Sequence, residues 1–401
     1  MKSFSFAQWV IIIILSLLTA LEPLSIDLYL PGFILIADAL GTSVAAVQIS
    51  LSTFLGGFAI GQLVWGPLAD KYGRKKPILA SLVIFIIASI ACIYVKTIEQ
   101  LWVVRFIQAI GGCGGIVISR AVVTDYFDRT KTLKIFALLA LIMGIAPIIA
   151  PSIGNGVLHA FNWEGLFGAM AALGIFLFLL VLFLLPETHT NRRTDVNSNV
   201  LRDYLNVLKV RKFVIYSLIA GIVNGALMIY VANGPFLIME KGGFTNSTFG
   251  LIFATNAGGL MVASLLTSIL QKYIATNKLV KHALLFMTAV SLVLLGAMYA
   301  NASMNVILVA LFFYVFPLGI LLPATTELAI TPFSDNSGTA SSLFGGIQLG
   351  VAFLCTIISG FISDGSVIAV GIAFFLCSIL AFVIVFSRIN LKEEYSKDSI
   401  R

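Results

Sequence analysis

The amino-acid sequence predicts an all-α membrane protein in which twelve transmembrane helices form two pseudo-symmetric six-helix bundles. The first observation is composition: the 401 residues are 59% hydrophobic and only 11% charged, with a mean hydropathy of +1.04. A soluble chain carries roughly 25% charged residues, so the surrounding solvent must be lipid. The second observation is a series of long apolar runs, and the third is a single long hydrophilic stretch that divides them six and six. Cytosolic enzymes, disordered proteins and secreted disulfide scaffolds are thereby excluded.

Each apolar run is close to the length of about 20 residues that a helix needs to cross the hydrocarbon core. The predicted spans one to twelve cover residues 9–30, 44–66, 77–95, 100–121, 133–157, 164–185, 213–236, 247–270, 280–300, 305–329, 337–361 and 367–387. They must be helical because lipid cannot satisfy backbone polar groups, and they are too long for tilted β-strands. The run that starts at Trp9 contains Glu22 and Asp27, so we expect a retained first span and not a signal peptide.

The central hydrophilic stretch divides the chain into three parts. We predict an N-terminal six-helix bundle over residues 1–186, a cytoplasmic linker over 187–212, and a C-terminal bundle with a short cytoplasmic tail over 213–401. Within the linker, Arg202–Val210 has the pattern of a short amphipathic helix on the membrane surface. The halves also form a weak repeat, because Val44–Leu79 matches Asn246–Leu284 in length and in its pattern of helix, basic loop and helix.

The lysines and arginines predict the orientation, because cytoplasmic loops of membrane proteins are enriched in them. With the N-terminus inside, only Lys96 and Lys241 fall in outer loops, while Arg105 and Arg120 lie within span four. All the others are cytoplasmic, so both termini are predicted to be inside. The net charge of +7 therefore belongs to the membrane topology and gives no reason to expect a nucleic-acid partner.

One loop carries an ordered motif between spans two and three. Residues 66–77 read G-P-L-A-D-K-Y-G-R-K-K-P. Gly66 permits close helix packing, Gly73 permits a tight turn, and Asp70 can cap the N-terminus of a neighbouring helix, where the helix dipole favours an acid. This pattern resembles the inner-loop motif of the major facilitator superfamily.

Two further motifs narrow the resemblance. Residues 105–112, R-F-I-Q-A-I-G-G, are similar to the family's motif in span four, with Ala109 in place of the usual glycine. Residues 144–154, G-I-A-P-I-I-A-P-S-I-G, are similar to the motif of antiporters, with Asn155 where a second glycine is common. The antiporter-motif residues are Gly144, Pro147, Pro151 and Gly154. Together with residues 25–31 and 338–343, they resemble the Bcr/CflA drug-resistance subfamily in the twelve-helix drug:proton antiporter branch.

The resemblance implies a function as well as a fold. It implies two bundles around a central cavity and a proton-coupled, non-enzymatic exporter that works as a monomer in the bacterial inner membrane. The partners would be a small-molecule substrate, protons and the lipid bilayer, with no cofactor. No nucleotide-binding P-loop occurs in the sequence, which argues against ATP as the driving force. The cysteines lie inside apolar runs without metal-binding spacing, so we expect packed thiols and no metal site.

Charged residues within the spans are the first candidates for function, because ionisable groups in hydrocarbon are costly. Asp27 and Glu22 in span one are predicted to couple proton and substrate movement, with Asp27 favoured. Asp27 and Arg105 lie at matching depths, so a purely structural pair between them is the alternative. For Glu22 the alternative is a protonated side chain hydrogen-bonded to another helix.

Polar and aromatic side chains within the spans are candidates for the wall of the cavity. We predict that it includes Tyr29, Arg105, Gln108, Asn224, Tyr230, Asn233, Asn256, Tyr314 and Gln348, with Phe33 and Phe316 as further apolar lining. The polar members, like Glu327 near the inner end of span ten, could equally join helices to one another.

The inner ends of the spans carry a predicted gate. Arg74 is expected to pair with Asp125, which follows span four on the same side. Asp70 is expected to point at the N-terminus of span eleven near Asp335, linking the two bundles when the inner side is shut. The predicted gate thus consists of Gly66, Asp70, Gly73, Arg74, Asp125 and Asp335.

The favoured function is export of small amphipathic molecules in exchange for protons, by alternating access. A siderophore or metabolite exporter is a variant of it, and a proton-linked importer is a rival that the antiporter-like motif disfavours. A sensor or scaffold without transport activity would be expected to lack the cavity acids or to add a soluble domain, and the sequence shows neither.

Overall fold

The computed structural model describes residues 5–189, 200–333, 337–362 and 365–388. Within these ranges, twelve helices are long and apolar enough to cross a membrane, which confirms the predicted fold class. Their order follows the predicted spans, and we keep the numbering of the spans below.

The N-terminal half contains spans one to six. Span one is Phe6–Asp27, followed by a 3-10 turn at Leu30–Gly32 and a short helix at Phe33–Ala39. Spans two to six are Val44–Tyr72, Lys75–Ile93, Ile98–Tyr126, Arg129–Phe161 and Glu164–Leu184. Hydroxyl caps explain three of the starts, because Ser5, Ser43 and Thr97 accept a backbone N–H at the head of spans one, two and four.

The C-terminal half contains spans seven to twelve, preceded by a surface helix at Val200–Leu208 close to where the amphipathic pattern predicts one. Span seven is Arg211–Gly234 and continues as a π-helix over Pro235–Lys241. Spans eight to twelve are Asn246–Leu270, Thr276–Tyr299, Met304–Val315 with Leu318–Ile330, Ser337–Ile362, and Val367–Arg388.

Prolines account for the main irregularities of the spans, because a proline removes one helical hydrogen bond and crowds the preceding turn. Pro31 lies in the turn directly after Asp27, and Pro317 separates the two helices of span ten. Both interruptions matter for function, because the first follows the main candidate acid and the second changes which way the outer part of span ten faces.

The two halves meet along paired spans. Spans two and eleven run antiparallel against each other, since Gly56 faces Phe353 while Gly345 faces Gln62. Spans five and eight pack together in the same way. At the predicted outer end, the turn and short helix after span one touch span seven and its π-helix, which closes that side of the interface between the halves.

Candidate transport site and cytoplasmic gate

Asp27 is the last residue of the first helix of span one and is only 4% exposed. Its carboxyl makes no hydrogen bond or ion pair with any residue in the described ranges. A buried carboxyl normally acquires a partner, because an unpaired charge in an apolar interior is costly. Asp27 is therefore a buried acid of span one whose carboxyl has no partner in the described ranges, which makes it a candidate for function.

The predicted alternative, a structural pair between Asp27 and Arg105, is wrong. Arg105 is fully buried and donates from Nη1 to Gln108 Oε1 at 2.5 Å and from Nη2 to the Ser25 carbonyl at 3.1 Å. Its guanidinium also lies over the rings of Phe54 and Tyr29, with centroid distances of 4.3 and 4.7 Å. A flat, weakly hydrated guanidinium can be buried in this way, so the cation does not need a carboxylate.

Arg105, Gln108 and Tyr29 are consequently parts of the N-terminal bundle, not of the cavity wall as predicted. Gln108 Nε2 donates to Ser89 Oγ at 2.7 Å, and the Tyr29 hydroxyl lies 2.7 Å from Ser50 Oγ. All three predicted cavity residues are fully buried among spans one to six. Phe33 packs there too, edge-on to Tyr29. Apart from Arg105 Nε, which has no hydrogen-bond partner in the described ranges, their polar groups are engaged within the bundle, and they hold span four against spans one to three.

Glu22 lies one and a half turns before Asp27 and is half-buried, with no ion pair among the described residues. Arg120 of span four lies close enough to attract it electrostatically and is itself exposed. Sequence reasoning noted Arg120 only as a cation within a span. The position of Arg120 within an apolar run was the available signal, because an arginine there is as costly as an acid and is equally a candidate for function.

Two predicted cavity residues in the C-terminal half have open polar atoms. Tyr230 stacks on Phe253 with a centroid distance of 5.6 Å, and its buried hydroxyl has no hydrogen-bond partner in the described part of the chain. Asn256 donates to the Ile252 carbonyl and lies close to the Tyr230 hydroxyl, and its buried Oδ1 has no hydrogen-bond partner of good geometry there. Asn233 donates to its own helix at the Ile229 carbonyl. Tyr230 and Asn256 are thus the residues here that could still hydrogen-bond a substrate.

The other predicted lining residues of the C-terminal half divide into two groups. Tyr314 and Phe316 do not line the cavity as predicted. Tyr314 donates to the Phe374 carbonyl of span twelve, and Phe316 lies in an outer groove beside span nine. The break at Pro317 separates this outer helix of span ten from the inner one, and on the outer helix Tyr314 packs against span twelve while Phe316 lines the groove. Asn224 and Gln348 stay predictions: the first is buried and the second half-buried, and no hydrogen bond or ion pair within the described ranges decides their role.

At the inner ends of spans two and four, the predicted pair between Arg74 and Asp125 is confirmed. Arg74 Nε donates to Asp125 Oδ2 at 2.7 Å, and Nη1 donates to Asp70 Oδ1 at 2.5 Å. Burial would lower the pKa of Arg74, but the hydrogen bonds and charges of Asp125 and Asp70 outweigh it and raise that pKa. Arg74 therefore remains a fixed cation that joins the ends of two spans.

The contact predicted between Asp70 and the start of span eleven involves Asp335, which lies outside the described residues. Gly66, one turn before Asp70, does face Ser342 of span eleven, so this end of span two lies beside the right helix. Glu327 joins helices, because its carboxylate accepts from Gln271 and Thr276.

Glu187, which sequence reasoning missed, completes the cluster of Asp70, Arg74 and Asp125 at the predicted inner ends of spans two and four. Its Oε1 accepts the backbone N–H of Arg74 at 2.8 Å, and its Oε2 accepts that of Lys75 at 3.3 Å, at the head of span three. Gly73 has φ +88°, and a Cβ there would meet Glu187 Oε2 at 2.5 Å. Both the backbone conformation and the lack of space therefore require glycine at this position. His189 Nδ1 lies 3.7 Å from Asp125 Oδ2. The signal was an acid directly after Pro186 at the end of span six, on the basic side of the membrane.

The antiporter-like helix, span five, lies between the two halves. Gly154 contacts span one at the Leu28 carbonyl, and Gly144 faces Met261 of span eight. Pro147 and Pro151 lie between these two contacts, within the helix. The motif therefore lies where span five can follow the turn beside Asp27 and touch the other half.

Within the described ranges, no group of three or more His, Cys, Asp or Glu side chains could hold a metal ion.

Comparison with known proteins decides the family. The model of the Major Facilitator Superfamily matches residues 15–354. The chain belongs to the major facilitator superfamily.

Relatives of this superfamily member match over most of its length. It is 30% identical to an uncharacterized MFS-type transporter, YdgK, of Bacillus subtilis, covering 92% of both chains. It is 28% identical to the Bicyclomycin resistance protein homolog of Haemophilus influenzae, over 86% of this chain and 87% of the relative. It is 31% identical to the Multidrug resistance protein MdtL of Escherichia coli O17:K52:H18, over 84% of each. These matches confirm the predicted family resemblance.

Solved structures show the same fold. A crystal structure of a D-xylose-proton symporter superposes with a TM-score of 0.80 at 13% identity, covering 94% of this chain and 96% of that one. A nucleoside transporter, NupG, gives a TM-score of 0.74 at 16% identity, over 96% and 100%. With the family match over residues 15–354 and the relatives above, the protein is a multi-pass major facilitator transporter and not an enzyme.

In this transporter, Glu187→Gln is expected to loosen the loop between spans two and three. Partial burial would raise the pKa of Glu187, but backbone N–H groups of Arg74, His189, Lys75 and Thr188 hold it below the usual value. Its contribution is thus present at neutral pH and is lost as pH falls through that lowered pKa. An acid at a helix N-terminus contributes about 0.5 kcal/mol.

The measurement is hydrogen exchange of the peptide covering residues 66–77, with thermal unfolding at several pH values. At pH 7 the variant should exchange faster than wild type, and the difference in unfolding temperature should shrink towards pH 4. Glu240→Gln, at an exposed acid on the other side of the membrane, is the matched control. Equal exchange in wild type and Glu187→Gln at pH 7 would contradict the capping role.

Proposed function

We propose that this transporter exports small amphipathic molecules, including antibiotics, in exchange for protons, by alternating access across the bacterial inner membrane with both termini in the cytoplasm. The observation that carries the proposal is Asp27, a 4% exposed acid without a partner in the described ranges, at the end of the first helix of span one. The proton gradient replaces any cofactor in this scheme, and a single chain suffices.

The position of Asp27 supports a coupling role. The turn at Leu30–Gly32 touches span seven of the other half, and Gly154 of span five packs on the carbonyl of Leu28. Asp27 therefore belongs to the part of span one that must move when the two halves move relative to each other. A proton gained or lost there changes the charge at the hinge between the halves.

Coupling needs only that proton and substrate bind the two cavity states with different affinities. In the proposed cycle, the substrate enters from the cytoplasm and binds while Asp27 is deprotonated. Protonation of Asp27 from the outer side then favours release of the substrate. Deprotonation towards the cytoplasm resets the carrier, so each proton that enters is exchanged for substrate that leaves.

The substrate class is inferred from the relatives and from the open polar atoms. Two relatives are named for resistance to bicyclomycin and to multiple drugs. Tyr230 offers a hydroxyl and a ring stacked on Phe253, and Asn256 offers a carbonyl oxygen. A few polar atoms in an otherwise apolar wall suit amphipathic molecules that carry one or two hydrogen-bonding groups.

The proposed function is tested by substrate-induced proton release from the purified protein, across a panel of antibiotics, lipophilic cations, siderophores and common metabolites. Release by antibiotics or lipophilic cations would support drug export, whereas release by a siderophore or metabolite alone would select that variant. Inside-out vesicles with an acidified interior should then accumulate the compound. Accumulation only in right-side-out vesicles with a more acidic exterior would show import and overturn the proposed direction.

Glu22 is the second acid of the proposed site. Glu22→Gln is expected to weaken transport of cationic compounds about fivefold and to leave neutral compounds nearly unchanged. A single charge in a partly solvated cavity contributes about 1 kcal/mol of attraction, which corresponds to that factor. Arg120→Gln should have the opposite effect, since it removes a nearby cation. The measurement is the ratio of transport rates for a cationic and a neutral substrate, and equal losses for both would assign Glu22 a structural role.

A further inference from the structure

An open apolar groove runs along the outside of the C-terminal half, between spans nine and ten. Its predicted outer part has a volume of about 600 Å³ and its inner part about 290 Å³, and both are lined by Phe286 and Phe313. The two parts are therefore continuous. Along span nine the lining runs from Leu279 to Val293, a rise of ~21 Å at 1.5 Å per residue. This exceeds half the ~30 Å hydrocarbon core, so the groove can accept an acyl chain from one leaflet.

The groove follows from side-chain size and from the break in span ten. Small residues, Ala283 on span nine and Ala310 on span ten, lie at its floor beside the large rings of Phe286 and Phe313. Pro317 lines the inner part and interrupts span ten there, so the two spans cannot close along their full length. A surface gap between the two spans is thus left open to the bilayer.

The chemistry of the groove changes at its cytoplasmic end. Its inner part is apolar except for His282, and Lys278 lies one helical turn before His282, on the same face of span nine. Both are exposed, and no ion pair engages Lys278 within residues 5–189, 200–333, 337–362 and 365–388. The nearby acid, Glu327, already accepts hydrogen bonds from Gln271 and Thr276.

We propose that this groove binds an anionic phospholipid of the cytoplasmic leaflet. One acyl chain lies between spans nine and ten, and the phosphate lies at Lys278 and His282. The cation attracts the phosphate, and the imidazole can donate a hydrogen bond in either protonation state. The site is outside the transport cavity and does not depend on the proposed substrate or on proton coupling.

The test is native mass spectrometry of the purified full-length protein with phosphatidylglycerol or phosphatidylethanolamine of identical acyl chains. Lys278→Gln should weaken retention of phosphatidylglycerol about fivefold, the effect expected for one cation near a phosphate. Lys281→Gln is the matched control: it removes the same charge three residues away, where the ammonium lies over the ring of Phe386. Ile320→Trp fills the inner part of the groove and should reduce retention of both lipids.

Stronger retention of phosphatidylglycerol than of phosphatidylethanolamine, lost in Lys278→Gln and kept in Lys281→Gln, would support the site. Equal retention of the two lipids, or equal losses in the two lysine variants, would overturn it. Displacement of bound phosphatidylglycerol by tetraphenylphosphonium would also overturn it, because the groove would then be a lateral site for lipophilic cations. Lys278 is exposed and Lys281 is only half-buried, so the test stands even where Ile320→Trp fails to fold.

Discussion

Asp27→Asn is expected to abolish the substrate gradient that the proton gradient drives, while exchange of substrate for substrate persists. Asparagine has nearly the same volume as aspartate and cannot titrate, and Asp27 has no partner among the described residues whose loss would unfold the site. The variant should therefore fold and bind but lose the linkage between proton and substrate.

The size of the effect follows from the driving force. For one-for-one exchange, a pH difference of about one unit corresponds to about 1.4 kcal/mol and sustains a roughly tenfold concentration ratio of substrate. Wild-type vesicles should approach this ratio, and Asp27→Asn vesicles should remain near one. The measurement is accumulation of a compound identified by proton release, followed by a counterflow assay without a pH gradient.

The chain provides a matched control for this substitution. Asp38 is an exposed acid on the short helix Phe33–Ala39 that follows the same turn, so Asp38→Asn changes the charge equally without touching the candidate site. Asp38→Asn should accumulate substrate like wild type. A tenfold ratio in Asp27→Asn would move the coupling role to another acid, with Glu22 the first to be tested.

The fold was predictable because its signals are periodic and long. Lipid forces every span into a helix of about 20 residues, and the cations mark the inner loops, so composition and spacing suffice. The pair between Arg74 and Asp125 was predictable for a similar reason. Both residues are placed by the ends of helices on the same side of the membrane, where few other partners compete.

The surroundings of Arg105 were not predictable from depth alone. The predicted depths of Arg105 and Asp27 in the membrane agree, which suggested a pair between them. The guanidinium is instead held by a glutamine of its own helix, a backbone carbonyl of span one and aromatic rings. Every residue has a backbone carbonyl, so the sequence does not show which one accepts a hydrogen bond. The chain has 31 phenylalanines, and nothing in the sequence distinguishes Phe54 and Phe167 from the others. The rotation of each helix, which decides such contacts, is set by packing of the whole bundle.

Glu187 and Tyr314 show two other limits. Glu187 lies in a hydrophilic stretch that reads as a linker, and its role as a cap depends on the end of span six lying beside the head of span three. Tyr314 looked like cavity lining because it is aromatic and lies in span ten. Its direction depends on the break at Pro317, whose effect on the helix before it cannot be read from spacing.

Gly154→Ala is expected to destabilise the protein and to impair transport, whereas Gly156→Ala, two residues later, should do neither. A Cβ at Gly154 would lie 2.2 Å from the carbonyl oxygen of Leu28, which is backbone and cannot rotate away. At Gly156 nothing lies within 4 Å of the added carbon. Overpacking at the first position should cost about 1–3 kcal/mol, while alanine at the second gains about 0.5–1 kcal/mol in helix propensity.

The two glycine variants also test whether span five positions Asp27. Because Leu28 follows Asp27 directly, pushing its carbonyl away from span five must shift the acid as well. Thermal unfolding should therefore move in opposite directions for the two variants, and proton-driven accumulation should fall only in Gly154→Ala. The contrary outcome is that both variants unfold at the same temperature as wild type and accumulate substrate equally well. Spans one and five would then pack less closely than the 2.2 Å between an added Cβ at Gly154 and the Leu28 carbonyl oxygen requires, and the antiporter-like helix would not set the position of Asp27.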